Sequence, residues 1–285
     1  MQYADDTSIY ESFKPDELNH HVQAINEDLN KVVKWSNDSN LVFNAGKTKT
    51  ILFGTNRMLK ARNLEHPGTY KLISNGKKIE RANNYKILGI IFDHDLSWNL
   101  HINHIISCSY SSLRLLARIK RFTPYHVRKQ LAETLVLNRI DYGNAVFHNP
   151  PIYLQNRLQR VINATAGYVR RSYSSTTDAI NLKWLPAIER SEFSLAKLAW
   201  KSINSPDWPK FLPMEKNLPT RTRRGQLKNT IKCTSNLRTS FEYSASNIFN
   251  DLPLECRSCD EYGSFCKLVK KYFLDKSLAR CLSFT

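Results

Sequence analysis

An α+β chain is predicted by three observations. Up to residue 95, short apolar runs alternate with turn signals, Asn75-Gly76 the strongest of them, around one amphipathic helical pattern. From residue 98 onward apolar residues recur at steps of three and four, as on helix faces that pack into a core. The charge divides near the same point: of a formal net charge of +17, residues 1–100 carry +1 and residues 101–285 carry +16. The regions expected are 1–95, mixed strand and helix; 96–204, helical; and 205–285, a basic, proline-broken connection followed by a small helical region.

The chain opens with Tyr3-Ala4-Asp5-Asp6-Thr7, which reads as a short strand, a tight turn and a returning strand. Adjacent strand residues point to opposite faces, so neighbouring carboxylates converge only where the chain turns. Carboxylates so held suit Mg²⁺, which takes one or two of them together with phosphate oxygens. The alternative is an acidic turn beside a loose terminus. After Lys14-Pro15-Asp16, a helix start, Leu18, Val22, Ile25, Leu29 and Val32 form one apolar stripe that ends near residues 36–40. Leu41-Val42-Phe43 and Thr50-Ile51-Leu52-Phe53 read as strands around a loop carrying Gly46, Lys47 and Thr48. Tyr70 to Ile73 and Lys78-Ile79 bracket the Asn75-Gly76 hairpin. Residues 85–92 read as one buried strand, with Gly89 admitting a neighbouring backbone.

Residues 98–122 form a helix with Ile102, Ile105, Ile106, Leu113, Leu116 and Ile119 inward and Arg114, Arg118, Lys120 and Arg121 outward. Thr123-Pro124 predicts a cap and first helical position for a second helix through Val127, Leu131 and Leu135. After Pro150-Pro151, Leu154, Leu158, Val161 and Ile162 begin a third, bearing Arg157, Arg160, Arg170 and Arg171. A fourth covers 187–203, and two short helical patterns lie near 240–250 and 261–278.

A chain of 285 residues with 41% hydrophobic and 11% aromatic residues folds around a sizeable core. An excess of +16 in the second part is most economically explained by a partner made of phosphates, since neutralising a polyanion releases its counterions. A solvated basic surface or an anionic membrane is the alternative. No apolar run approaches a membrane span and no signal peptide is recognisable, so an intracellular protein of the cytoplasm or nucleus is expected. Six cysteines are too sparse for a disulfide scaffold. Cys256, Cys259, Cys266 and Cys281 are candidate zinc ligands, and His94, His101 and His104 a candidate metal cluster. Buried thiols and a loop with a helix cap are the favoured readings of these.

The order of features from Tyr3-Ala4-Asp5-Asp6 resembles the second half of the reverse transcriptase of non-LTR retrotransposons, the jockey-like lineages in particular. The matching pieces are the helix ending at Trp35, then Leu41-Val42-Phe43-Asn44 with Lys47-Thr48, residues 85–90, and Leu96-Ser97-Trp98 with His101-Ile102. Leu137 to Gly143, Leu158 to Ala164 and Phe249-Asn250-Asp251-Leu252-Pro253 continue it. The resemblance implies a partial palm over 1–95, a thumb-like region over 96–204 and nucleotidyl transfer by two Mg²⁺ ions in the full-length family. It implies that Asp5 and Asp6 hold the metal, that Lys47 lies near the triphosphate, and that Tyr3 and Ala4 lie near the primer end. Leu88 and Gly89 would belong to a primer-gripping hairpin. Arg114, Arg118, Lys120 and Arg121 would hold the backbone of an RNA template–DNA primer duplex. The family's third carboxylate precedes this turn, whereas only Met1 and Gln2 do here. The expectation is therefore a truncated frame that does not polymerise alone. The alternative, from the same element, is a non-catalytic nucleic-acid-binding protein.

Overall fold

The computed structural model describes residues 2–3, 6–44, 46–66, 68–209 and 240–283, residues 2 and 3 by backbone alone. It mixes many helices with a few short strands and divides into two compact units, residues 1–100 and 101–285.

The first unit is built on helix α1 (Leu18–Asp38), entered through a 3₁₀ turn at Pro15–Glu17. Strands β1 (Gln2–Tyr3) and β2 (Asp6–Thr7) form an antiparallel hairpin, and β3 (Lys49–Thr50) pairs in parallel with β6 (Glu80–Arg81). Strands β4 (Ile73–Ser74) and β5 (Lys77–Lys78) pair across Asn75-Gly76, whose φ angles of +49° and +69° suit the expected two-residue turn. The α1 stripe divides its burial between two small clusters. Leu18 packs with Leu59 of helix α2 (Asn56–Ala61) and Leu64, while Leu29 packs with Leu72 and Ile79. One side chain fixes the sheet to the helix. The Asn26 amide accepts from Ile73 N (2.8 Å) and donates to Lys71 O (3.3 Å), standing in for a neighbouring strand.

Of the expected strand Thr50-Ile51-Leu52-Phe53 only Thr50 lies in one, β3. Two further strand expectations fail for backbone reasons. Leu41-Val42-Phe43 is not a strand: Asn40 turns left-handed (φ +56°), and Leu41 folds back onto the helix end. Its N–H donates to Ser36 O (2.8 Å) and its carbonyl accepts from Ser36 Oγ (2.6 Å), leaving Val42 in solvent. Residues 85–92 are not one buried strand either. They form the hairpin β7 (Asn84–Ile87) and β8 (Ile90–Asp93), because Leu88 and Gly89 both take positive φ; only Ile90 and Asp93 of these strands are buried.

The second unit is helical. Helix α3 (Asn99–Ile119) buries Ile102, Ile105, Ile106, Leu113 and Leu116 as expected, but Ile119 is exposed. Thr123 does not cap the next helix; its hydroxyl donates to Ile119 O (2.6 Å), closing the end of α3. Helix α4 (Tyr125–Ala132) runs through a π-helical turn (Glu133–Leu137) into α5 (Asn138–Asp141). The extra residue of that turn rotates the inward face. Burial therefore falls on Ala132, Val136, Leu137 and Ile140, and Leu135 of the predicted stripe is exposed.

Helix α6 (Ile152–Arg170) packs against α4, α7 (Thr176–Asn181) and α8 (Ala187–Asn204). The α7 turn was not predicted, although Ser175 and Asp178 form a reciprocal capping box that the sequence displays. The last helices, α9 (Phe241–Asn250), α10 (Leu254–Arg257) and α11 (Tyr262–Leu282), share one core with α8: Leu195, Ala199 and Trp200 meet Ala245, Phe249, Phe265 and Phe273.

Arg128 of α4 ties these helix ends together. It is buried, and its guanidinium donates to Val169 O through Nε (2.9 Å) and a terminal nitrogen (2.7 Å), and to Thr123 O (2.6 Å). The carbonyls at a helix C-terminus lack intrahelical partners and carry negative partial charge, which suits a cation without a carboxylate. Arg128→Ala should lower stability by roughly 2–4 kcal/mol, since buried carbonyls lose charged donors. Urea midpoints would show it, and Arg128→Lys should recover only part.

His148 is a second cross-link, its ring nitrogens 3.0 Å from Ala145 O and 2.8 Å from Ser244 Oγ of α9. Burial pushes its imidazole below 6.5, whereas the unfolded chain titrates near that value. Below pH 6.5 the unfolded state takes up a proton that the folded state resists. This contribution is therefore complete above pH 6.5 and declines as the pH falls toward the lowered folded value. The urea midpoint of His148→Gln should fall less than that of the parent protein between about pH 7 and pH 5.5.

Candidate nucleic-acid interface

In the first unit, the hairpin register sets Tyr3 opposite Asp6 and Gln2 opposite Thr7. Ala4 and Asp5 lie outside the described residues, as does the Tyr3 side chain. Asp6 is exposed on β2. No group of three or more His, Cys, Asp or Glu side chains able to hold a metal occurs among the described residues.

Lys47 lies on an exposed loop shaped by Asn44, whose side-chain oxygen accepts from Gly46 N (3.0 Å) and Lys47 N (3.1 Å). Such an Asx turn presents backbone and lysine outward. The Lys47 carbonyl accepts from the Tyr85 hydroxyl (3.3 Å), so this loop and the β7–β8 hairpin are joined. Two of the expected regions, around Lys47 and around Leu88-Gly89, thereby meet in the first unit.

At the tip of that hairpin Leu88 has φ +46° and Gly89 φ +85°. Glycine reaches such angles freely, but a leucine is strained there by about 1–2 kcal/mol. Leu88 is also exposed at 37%, so burial does not explain the choice. The base of the hairpin is firmly held. Asp93 is buried, accepts from the Ser97 hydroxyl and from Trp98 N (3.3 Å), and Phe92 packs edge-on against Trp98 at 5.5 Å.

In the second unit, Arg114 and Arg118 lie on the exposed face of α3, with Lys120 half-buried and Arg121 exposed beyond its end. Arg114 donates to Ser111 Oγ (3.0 Å), one turn back. None of the four takes part in an ion pair among the described residues. Other arginines of this unit are neutralised in place. Arg190 makes two 2.7 Å bonds to Asp141, Arg170 pairs with Asp178, and Arg280 pairs with the buried Glu189.

Two features of this face escape a periodicity reading. Arg128 occupies an inward position where an apolar residue is expected. Arg171, left-handed at φ +62° after α6, donates to Lys120 O (2.8 Å) and Arg121 O (3.1 Å). Gly167 makes that approach feasible, since a Cβ there would come within 2.7 Å of Ser172 O. A further cleft of about 470 Å³ lies beside α5 and α8, with Lys183, Lys197 and Lys270 among its lining. Burial, then nearby Arg190, pushes the Lys270 ammonium down.

Cys256, Cys259 and Cys266 serve packing. Cys256 is in the α8–α11 core and burial pushes its thiol up, away from the thiolate a zinc ion requires; Cys259 and Cys266 pack on the same core. His101 is buried edge-on against Phe147 (4.9 Å), and His94 bonds to Asn56 (2.8 Å). No helix among the described residues is long and apolar enough to cross a membrane.

Leu88→Gly should leave the hairpin intact and raise stability by about 0.5–1 kcal/mol, relief of strain exceeding the added chain entropy of glycine. Leu88→Val, β-branched in the same backbone region, should lower it. Thermal or urea unfolding of the two variants separates these outcomes.

No family model matches the chain, no curated protein matches its sequence, and no solved structure matches its fold.

Proposed function

We propose that the chain holds nucleic acid by its sugar–phosphate backbone, as the portion of a non-LTR retrotransposon RNA-directed DNA polymerase from the metal-binding turn onward. The observation that carries this reading is the face of Arg114, Arg118, Lys120 and Arg121, which lacks carboxylate partners among the described residues, in a region of net charge +16. Cations left without internal partners are matched by phosphates, and a contact to phosphates carries no sequence preference. A template–primer duplex of RNA and DNA is the partner that the resemblance adds. The β1–β2 register at Tyr3–Asp6 and the strained Leu88-Gly89 turn support the same ancestry, because both fall where the polymerase resemblance expects a hairpin. Asp5 and Asp6 are the carboxylates such an enzyme would give to Mg²⁺. Nucleotidyl transfer is not ascribed to this chain alone.

Fluorescence anisotropy with a labelled RNA–DNA primer–template tests the binding. Affinity should fall steeply between about 50 and 200 mM salt and differ little between sequences, and Arg118→Ala with Arg121→Ala should reduce the salt slope by about 2. Absence of binding, or a salt-insensitive affinity, would refute the reading. Primer extension with Mg²⁺ should yield no product; product that disappears in Asp5→Ala would show the chain to be a complete polymerase.

A further inference from the structure

The end of α3 exposes more apolar surface than its basic role accounts for. The helix has one buried stripe, ending at Leu113 and Leu116. On another side Leu115 is 62% exposed, Ile119 45% and Phe122 85%, at successive steps of four and three. Arg114, Arg118 and Arg121 interleave with them. Tyr125, at the start of α4, is 51% exposed, and its ring faces the Arg128 guanidinium (5.9 Å). A large aromatic in solvent without packing partners is uncommon on a surface that has a choice of residues.

The corner is rigid where it matters. Arg171 and Arg128 together bond the carbonyls of Lys120, Arg121 and Thr123, and the Thr123 hydroxyl closes onto Ile119 O. Phe122 therefore projects from a backbone fixed on both sides, between residues whose carbonyls are all engaged. A fixed aromatic beside the exposed side chains of Arg118 and Arg121 combines a π face with groups able to contact phosphates. That pairing is the one used for unpaired nucleic-acid strands, where each base has a face to stack and each phosphate a charge to neutralise. A continuous duplex presents no free base face. An apolar protein partner would be indifferent to the three arginines.

Resting on the nucleic-acid reading above, we infer that the α3–α4 corner is a stacking platform for single-stranded nucleic acid, with Phe122 receiving a base and Arg118 and Arg121 its adjoining phosphates. Tyr125 and the exposed apolar side chains of Leu115 and Ile119 extend the platform to neighbouring bases.

A twelve-residue oligothymidylate and an abasic oligomer with the same phosphates serve as probes, in anisotropy titrations with the full chain. The parent protein should bind the oligothymidylate at least tenfold more tightly. Phe122→Ala should remove that preference while leaving abasic binding and the salt slope unchanged; Phe122→Trp should preserve it. Circular dichroism and thermal unfolding check that both variants fold, as their exposed site leads one to expect. Equal binding of the two probes, or a preference that survives Phe122→Ala, overturns the platform and leaves backbone binding standing. Failure to bind either probe overturns the platform, while anisotropy with the primer–template duplex decides the backbone reading separately. Loss of phosphatidylserine-vesicle binding in Phe122→Ala, without loss of base preference, identifies a membrane contact and overturns the inference. A concentration-dependent increase in mass that Phe122→Ala abolishes, again with base preference intact, identifies a second copy and does the same.

Discussion

The guanidinium of Arg128 is the interaction on which the helical unit depends. It is a buried cation with no carboxylate, and such a charge is costly unless every donor is used. Here the acceptors are main-chain carbonyls near the ends of α3 and α6, Thr123 O and Val169 O. Without it Val169 O would lose both of these donors and Thr123 O would keep only a 3.4 Å bond from Arg171. The exchange is mutual: two helix ends that lack partners and one cation that lacks an anion satisfy one another. Arg171 repeats the device from the opposite side, with its backbone in the left-handed region after α6. The corner that carries Arg121 and Phe122 is consequently held by hydrogen bonds rather than by a hydrophobic core.

This arrangement separates structural from available charge. Arg128, Arg170, Arg190 and Arg280 are each engaged by carbonyls or carboxylates within the second unit. Arg114, Arg118, Lys120 and Arg121 are not engaged by any carboxylate among the described residues. Net charge alone does not distinguish the two groups, and only the second bears on a polyanionic partner. The first unit shows a comparable contrast. Its β7–β8 hairpin is anchored by buried Asp93 and by Phe92 against Trp98, yet its tip places an exposed leucine at positive φ. Strain at an exposed tip on a firm base is the pattern expected of a turn retained for contact rather than stability.

Local chemistry made some elements legible. The Leu18-Val22-Ile25-Leu29 spacing, the Asn75-Gly76 turn and the inward face of α3 were readable because their signals lie within a few residues. The residues 41–43 were misread because three apolar side chains look like a strand. A left-handed Asn40 and a bond from Ser36 turn them back onto the helix. The second helix was misphased for a related reason: a π turn alters the step between inward positions, and nothing in the residues 133–137 announces it. The Ser175–Asp178 capping box was legible and was missed. The site followed the same pattern. The basic residues at 114–121 were evident as a cluster, whereas their lack of internal anions depended on where distant carboxylates came to lie.

The sequence by itself determined the division into a mixed region and a basic helical one and most of the helix faces. Composition and periodicity suffice for these because they follow from burial and backbone preference along short stretches. Only the tertiary structure decided which arginines are already satisfied, that Arg128 and Arg171 pin the α3–α4 corner, and that Phe122 is left facing solvent. Most of these depend on contacts between residues far apart in the chain, such as Arg128 with Val169 and Arg171 with Lys120. The free energy of such a contact belongs to the folded pair, so neither partner's local sequence contains it.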